Sequence, residues 1–204
     1  MHETHHCRLR LVTVALMLAG VLAWPAASRA QTVAGQARAA QATITGPLGT
    51  TTTTTLSDTG TLGGTNDERD TGVVTASVPS LLSGEVLNAA TISWSDEVDS
   101  DASVENLGMT VAGVGISADS VVSRAFSKLG SGSSGSTTID NLSINGISIF
   151  VTGDPNQTIA IPGGQVVINE QTTDPSGTIT VNALHVTVTG VADVVIATAV
   201  AGIS

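Results

Sequence analysis

Few side chains in this sequence can do chemistry, and most of them lie in its first thirty residues. Beyond Ala30 there is no cysteine and no tyrosine, one histidine (His185), one lysine (Lys128) and one tryptophan (Trp94). Nucleophilic, acid–base and metal chemistry recruit those residue types most often. A lone histidine could serve as a general base, but a triad needs an acid on one ring nitrogen and a nucleophile on the other. No nucleophile-elbow sequence accompanies His185. In strand phase it falls with Thr187 and Thr189, opposite Leu184, Val186 and Val188. It is therefore expected to face away from the main apolar layer and to form local hydrogen bonds.

Asp96, Glu97, Asp99, Asp101 and Glu105 are the densest acidic group. Calcium takes roughly six to eight oxygen ligands, and acidic loops supply them. This spacing is not that of an EF-hand loop and lacks its central glycine. If Trp94 closes one strand and Ala102 opens the next, the group is a solvated turn, which is the reading adopted here. Asn141 and Asn156 head glycosylation sequons, Asn141 being expected inside a strand. Asparagine and glutamine side chains suit sugar binding, but no aromatic stacking platform accompanies them. An intramolecular Lys–Asn cross-link could use only Lys128, which borders Gly130–Ser136 (GSGSSGS), read as a flexible connector. His2, His5, His6 and Cys7 belong to the segment before residue 30. No residue is assigned a catalytic, cofactor-binding or metal-ligating role.

Residues 1–30 read as a secretory signal peptide. Arg8 and Arg10 precede an apolar stretch, Leu11–Ala23, too short to span a bilayer comfortably. Ser28 and Ala30 then place small residues at the −3 and −1 positions, so the mature chain is expected to begin at Gln31. A short N-terminal membrane anchor is the alternative. No integral membrane segment is expected after cleavage. The sequence holds 7 basic and 17 acidic residues; only Arg38, Arg69, Arg124 and Lys128 are basic beyond residue 30. Phosphate recognition needs clustered Lys and Arg, so no nucleic-acid partner is expected.

The elements that must position these residues read as strands. Residues 31–72 are expected to be a flexible arm and loop, because Thr50–Thr55 sits among Pro47, Gly49, Gly60, Gly63 and Gly64. Residues 73–204 are rich in Val, Ile and Thr and form a β-rich extracellular domain. Asn145–Gly146 signals a hairpin. Ile161–Gly164, Asp174–Gly177 and Gly190 mark further reversals, giving an antiparallel meander. One spacing recurs: Val104, Leu107, Met109; Ile139, Leu142, Ile144; Val181, Leu184, Val186. A step of three inside a strand moves the apolar set to the other face, which requires a bulge or a corner. The fold expected is an all-β antiparallel β-sandwich or rolled meander, with a β-solenoid as the alternative. Val191–Ile203 is apolar on both strand faces, as in a strand buried on both sides or one that pairs with another subunit.

Asn156–Ile161 (NQTIAI), Val167–Gln171 (VINEQ), Gly177–Val188 (GTITVNALHVTV) and Ala192–Ile196 (ADVVI) resemble the choice-of-anchor P family, as do Val78–Leu82, Asn106–Leu107 and Ile139–Gly146. The likeness runs from about Val73 to Ile203. It implies a bacterial secreted or surface protein with a shared extracellular domain, and no named enzymatic activity. The functional expectation is a secreted, non-enzymatic structural or adhesive protein of the cell surface or extracellular matrix, with an envelope or extracellular protein or glycan as partner. The alternative is a secreted calcium- or glycan-binding module. An enzyme stands third, and no cofactor is expected.

Overall fold

Val, Ile, Thr and Ala at alternate positions build thirteen strands in a computed structural model that describes residues 31–204. They are β1 (Val33–Thr45), β2 (Thr51–Asp58), β3 (Glu68–Val78), β4 (Leu82–Ser93), β5 (Glu97–Val111), β6 (Val114–Lys128), β7 (Gly132–Asp140), β8 (Ser143–Ile144), β9 (Ile147–Ser148), β10 (Gln157–Ile161), β11 (Gly164–Thr173), β12 (Ile179–Val188) and β13 (Ala192–Ile203). One sheet runs β10-β11-β12-β13-β1-β2; the other runs β3-β4-β5-β6-β8-β9, with β7 also on β6. Every pairing is antiparallel. The fold is a β-sandwich. The signal peptide expected over residues 1–30 lies outside the described residues.

The hairpins fall where their turn residues place them. Asn145 and Gly146 both take positive φ between β8 and β9, as a tight two-residue hairpin turn demands. Residues 162–163, 174–178 and 189–191 turn the β10 to β13 meander. The flexible reading of residues 31–72 is overturned. They hold β1, β2 and the start of β3, and β1 sits inside the first sheet between β13 and β2. The inward residues of β1 are Gly35, Ala37, Ala39, Ala40 and Ala42, too small to register as an apolar stripe. Gly130–Ser136 is likewise no free connector: from Gly132 it is strand β7, paired with β6 from Lys128 back to Ser120.

The recurring three-then-two spacing has a structural cause. Each long strand changes phase once, at the same level, so the phase changes form a line across each sheet. In the first sheet one rung is missing from each ladder at this level: Asn169 opposite Ala183, Ala183 opposite Ala197, Ala197 opposite Ala39, and Ala39 opposite Ser57. Asn169, Ala197 and Ser57 take positive φ there, on alternate strands. Register is identical above and below the line because every strand bends at it together. The doubled residues point inward in this sheet: Ile168–Asn169, Ala183–Leu184, Ile196–Ala197 and Ala39–Ala40 are all buried. In the second sheet they point outward, as Glu85–Val86, Glu105–Asn106, Asp119–Ser120 and Asp140–Asn141. The two-faced apolarity of β13 is this phase change. Val195 and Val200 stay on the outer side, half-buried, and the backbone pairs with β12 and β1 along its length, leaving no edge for another subunit.

The line divides the interior. On the side of the 46–50, 112–113 and 189–191 turns, called the upper half, Leu82, Leu107, Met109, Ile116, Leu142 and Ile144 meet Val166, Ile168, Leu184, Val186, Val194 and Ile196. In the lower half, Val98, Ala125, Val181, Ala199 and Ala201 pack beside buried Thr91, Ser93, Ser100, Ser123 and Ser127. There the sheets approach closely enough for Ser100 Oγ, which accepts from Thr91 Oγ1 at 2.7 Å, to donate across the gap to the Val200 carbonyl at 2.6 Å. A Cβ on Gly135 would lie 2.3 Å from Val181 Cγ2, and one on Gly35 would lie 2.4 Å from Leu62 Cδ1.

Candidate functional site

The phase change also organises the outer surface of the first sheet. With two residues turned inward, the outward residues on either side become neighbours: Val167 and Glu170, Asn182 and His185, Val195 and Thr198, Arg38 and Gln41. The cross-strand register sets Glu170, Asn182, Thr198, Arg38 and Asp58 in one transverse row. Asn182 Nδ2 donates to Glu170 Oε2 at 2.7 Å, and Thr198 Oγ1 donates to Asn182 Oδ1 at 2.9 Å. Arg38 Nε pairs with Asp58 Oδ2 at 2.8 Å, and its Nη1 reaches Gln41 Oε1. The carboxyl of Asp58 sits below its ordinary pKa: burial opposes this, but hydrogen bonds from Gln36, Gly60 and Arg38 outweigh it.

His185 stands at the junction of three strands. Its Nδ1 lies 2.9 Å from Glu170 Oε2 on β11, and its Nε2 lies 3.2 Å from Asp193 Oδ2 on β13. Burial lowers the imidazole pKa, but the hydrogen bonds and charges of Glu170 and Asp193 raise it further, so the net shift is upward. The outward orientation read from the sequence is observed. A local bond to Thr187 is present, and two shorter cross-strand bonds join it. A hydrolytic triad needs one ring nitrogen on a nucleophile, whereas here each nitrogen faces a carboxylate. The hydroxyl beside it is that of Thr187, 3.4 Å from Nε2. Chemically, the group is a clasp in which one imidazole bridges carboxylates on the two neighbouring strands, tying β11, β12 and β13 together. Glu170 and Asp193 carried no recognisable sequence signal. They meet His185 diagonally, across the phase change and across a turn.

The acidic group is not a turn. Strand β5 begins at Glu97, so Glu97, Asp99, Asp101 and Glu105 line one face of an extended strand. Side chains two residues apart on a strand stand about 7 Å apart, too far for successive carboxylates to converge on one ion. Lys128 Nζ contacts Glu97 at 3.0 Å and Asp96 at 3.6 Å, and Arg124 Nε contacts Asp101 at 2.8 Å. Asp99, between these pairs, has its pKa raised by burial first and then by repulsion from Asp101 and Glu97, with Arg124 opposing. No three His, Cys, Asp or Glu among the described residues gather as metal ligands would. The Lys128 ammonium thus meets carboxylates, not an asparagine. Asn141 is not inside a strand but in the bend between β7 and β8, donating to Asp119 Oδ2 at 2.6 Å. Asn156 precedes β10, and its Oδ1 accepts from the Gln171 amide.

Charge is segregated by the same line. Above it, segments 40–56, 75–84, 107–118, 142–148, 157–168 and 184–196 contain one acid, Asp193, no Lys or Arg, and one histidine, His185. These two bond to each other. The surface there is Ser, Thr, Gly and Val, with Leu48 fully exposed between β1 and β2 and Ile147 largely exposed on β9. The segregation is visible in the sequence only once the strand ends are known. Comparisons with protein-family models, curated proteins and solved structures give no match.

Proposed function

We propose that this protein acts outside the cytoplasm as a non-enzymatic structural or adhesive module of the cell surface or extracellular matrix, and that its upper half, uncharged but for the His185–Asp193 pair, makes the contacts. The observation that carries this reading is the charge segregation. Soluble surfaces ordinarily intersperse charges of both signs, and an extended surface without them is expected where a partner covers it. The leader-like residues 1–30 and the resemblance to the choice-of-anchor P family support an extracellular setting. The clasped state of His185 supports a structural role for the one imidazole beyond residue 30. The calcium- or glycan-binding alternative draws less support, because the acids of β5 are spread along a strand and two of them are engaged by Arg124 and Lys128.

The test is retention on envelopes of the producing cell. Contacts made by an uncharged surface should persist when ionic strength rises from about 0.1 M to about 1 M, although the screening length falls to about 3 Å. Introducing a charge, as Leu48→Asp with Ile147→Asp, should release the protein. Release by salt or by a chelator would overturn the reading in favour of ionic or calcium-dependent attachment. Recovery of the uncleaved chain in the cytoplasm would overturn the extracellular setting.

A further inference from the structure

We infer that the free edge of β2 pairs with β2 of a second copy, antiparallel and about a two-fold axis at Thr53, so that the six-stranded sheets of two molecules become one. β2 ends the first sheet, and among the described residues no strand pairs with its outer edge. The directions of its backbone groups follow from one bond. The Gly46 amide donates to the Thr50 carbonyl at 2.7 Å, so Thr50 faces β1. Backbone groups alternate along an antiparallel strand. Thr52 and Thr54 therefore serve the ladder with β1, while the N–H and C=O groups of Thr51, Thr53 and Thr55 point outward.

This edge lacks the devices that ordinarily prevent edge-to-edge pairing. Thr51–Leu56 contains no charge, proline or glycine. The other edges are short, charged or rich in glycine: β10 spans Gln157–Ile161, β9 only Ile147–Ser148, β3 opens with Glu68, Arg69 and Asp70, and β7 contains Gly132 and Gly135. The threonine run is self-complementary. Pairing about Thr53 sets Thr53 against its own copy and Thr51 against Thr55, and cross-strand threonine pairs stabilise sheets. The strand already makes such a pair on its bonded side, where Thr53 Oγ1 lies 2.9 Å from Thr43 Oγ1.

Charge selects a second copy as the occupant. The chain carries a net charge of −10, so two copies repel at most approaches. About this axis the nearest acid on β2, Asp58, lies five residues from the centre on each side, which separates the two Asp58 residues by roughly 33 Å. That is several times the screening length of about 8 Å at physiological salt. This pairing deepens the structural reading proposed above, on which its biological use rests.

Sedimentation of the full chain across a concentration series tests it. A monomer–dimer equilibrium is expected, and Thr53→Pro should weaken it at least tenfold. The Thr53 amide faces outward, so this substitution removes no ladder bond within the molecule; the one side-chain bond lost is that of Thr53 Oγ1 to Thr43 Oγ1 on the exposed face. Thr53→Lys and Thr53→Glu should each be monomeric alone and should form a heterodimer when mixed, which guards against loss through misfolding. A wild-type monomer at about 1 mM, or a Thr53→Pro variant that dimerises like wild type, would overturn the inference. Envelope retention by monomeric Thr53→Pro would leave the adhesive reading standing; dimerisation without retention would do the reverse.

Discussion

Above the line of phase changes the sandwich is aliphatic inside and nearly uncharged outside; below it aliphatic residues are mixed with glycine and buried hydroxyl side chains, the sheets touch through Ser100, and the outside is charged. The same strands build both halves, since β1, β4, β5, β6, β12 and β13 pass through the line. What differs is the set of side chains available on each side of it. Large aliphatic residues from both sheets fill the upper interior. In the lower half Gly35 and Gly135 allow contact that a methyl group would block, and hydrogen bonding replaces part of the aliphatic packing. The replacement is incomplete: Ser123 Oγ and Thr137 Oγ1, on directly paired residues, are buried with no hydrogen-bond partner among the described residues. Each such group costs about 1–3 kcal/mol.

The comparison implies opposite mutational sensitivities. Upper positions should fail when made smaller. Leu184, fully buried between the sheets, should cost about 3–4 kcal/mol as Leu184→Ala, read as a lower urea midpoint with unchanged slope. Lower positions should fail when made larger. Gly135→Val, which drives a methyl group into Val181, should cost about 2–3 kcal/mol. A neutral outcome would show that the lower sheets separate without penalty and would erase the distinction. Ser100→Ala should cost about 1–2 kcal/mol, because Thr91 and the Val200 carbonyl both lose a partner. No upper-half hydroxyl bridges the sheets in this way among the described bonds.

The smallest expected effect lies on the outer face, where His185 joins the halves. Its pKa is raised on folding above the ordinary 6.5. Its contribution is therefore complete below about pH 6 and is lost as pH climbs through the raised value. The stability difference between wild type and His185→Ala should be largest in mild acid, about 1 kcal/mol or less for a partly exposed pair, and should shrink by pH 9. A difference that grows with pH would mean that the carboxylates, not the imidazolium, govern the clasp.

These halves were unequally legible before the structure. Turn chemistry at Asn145–Gly146, Ile161–Gly164, Asp174–Gly177 and Gly190 located the hairpins, because each demands backbone conformations that few residues tolerate. The Val104–Leu107–Met109 type of spacing identified the phase change, because large apolar residues mark strand phase clearly. Residues 31–72 and 130–136 were misread for the converse reason. Their strands are built from Gly, Ala, Ser and Thr in both halves, as at Gly35, Ala40, Ala42 and Gly135, and those residues carry the composition of a loop. His185 could be oriented from its own neighbours. Its partners could not be named, since the meeting of Glu170 and Asp193 depends on a register offset that only the folded sheet defines.

The pairing at one end of the first sheet adds a mechanical consequence. Thr32 and Ser204 pair reciprocally, amide to carbonyl in both directions at 2.9 and 3.1 Å, just outside the adjacent antiparallel strands β1 and β13. A load applied through these two residues does not shear the ladder. It opens the rungs one after another from this end, as a zipper opens, so the fold should yield at low force along this axis while resisting far more strongly when pulled across its sheets.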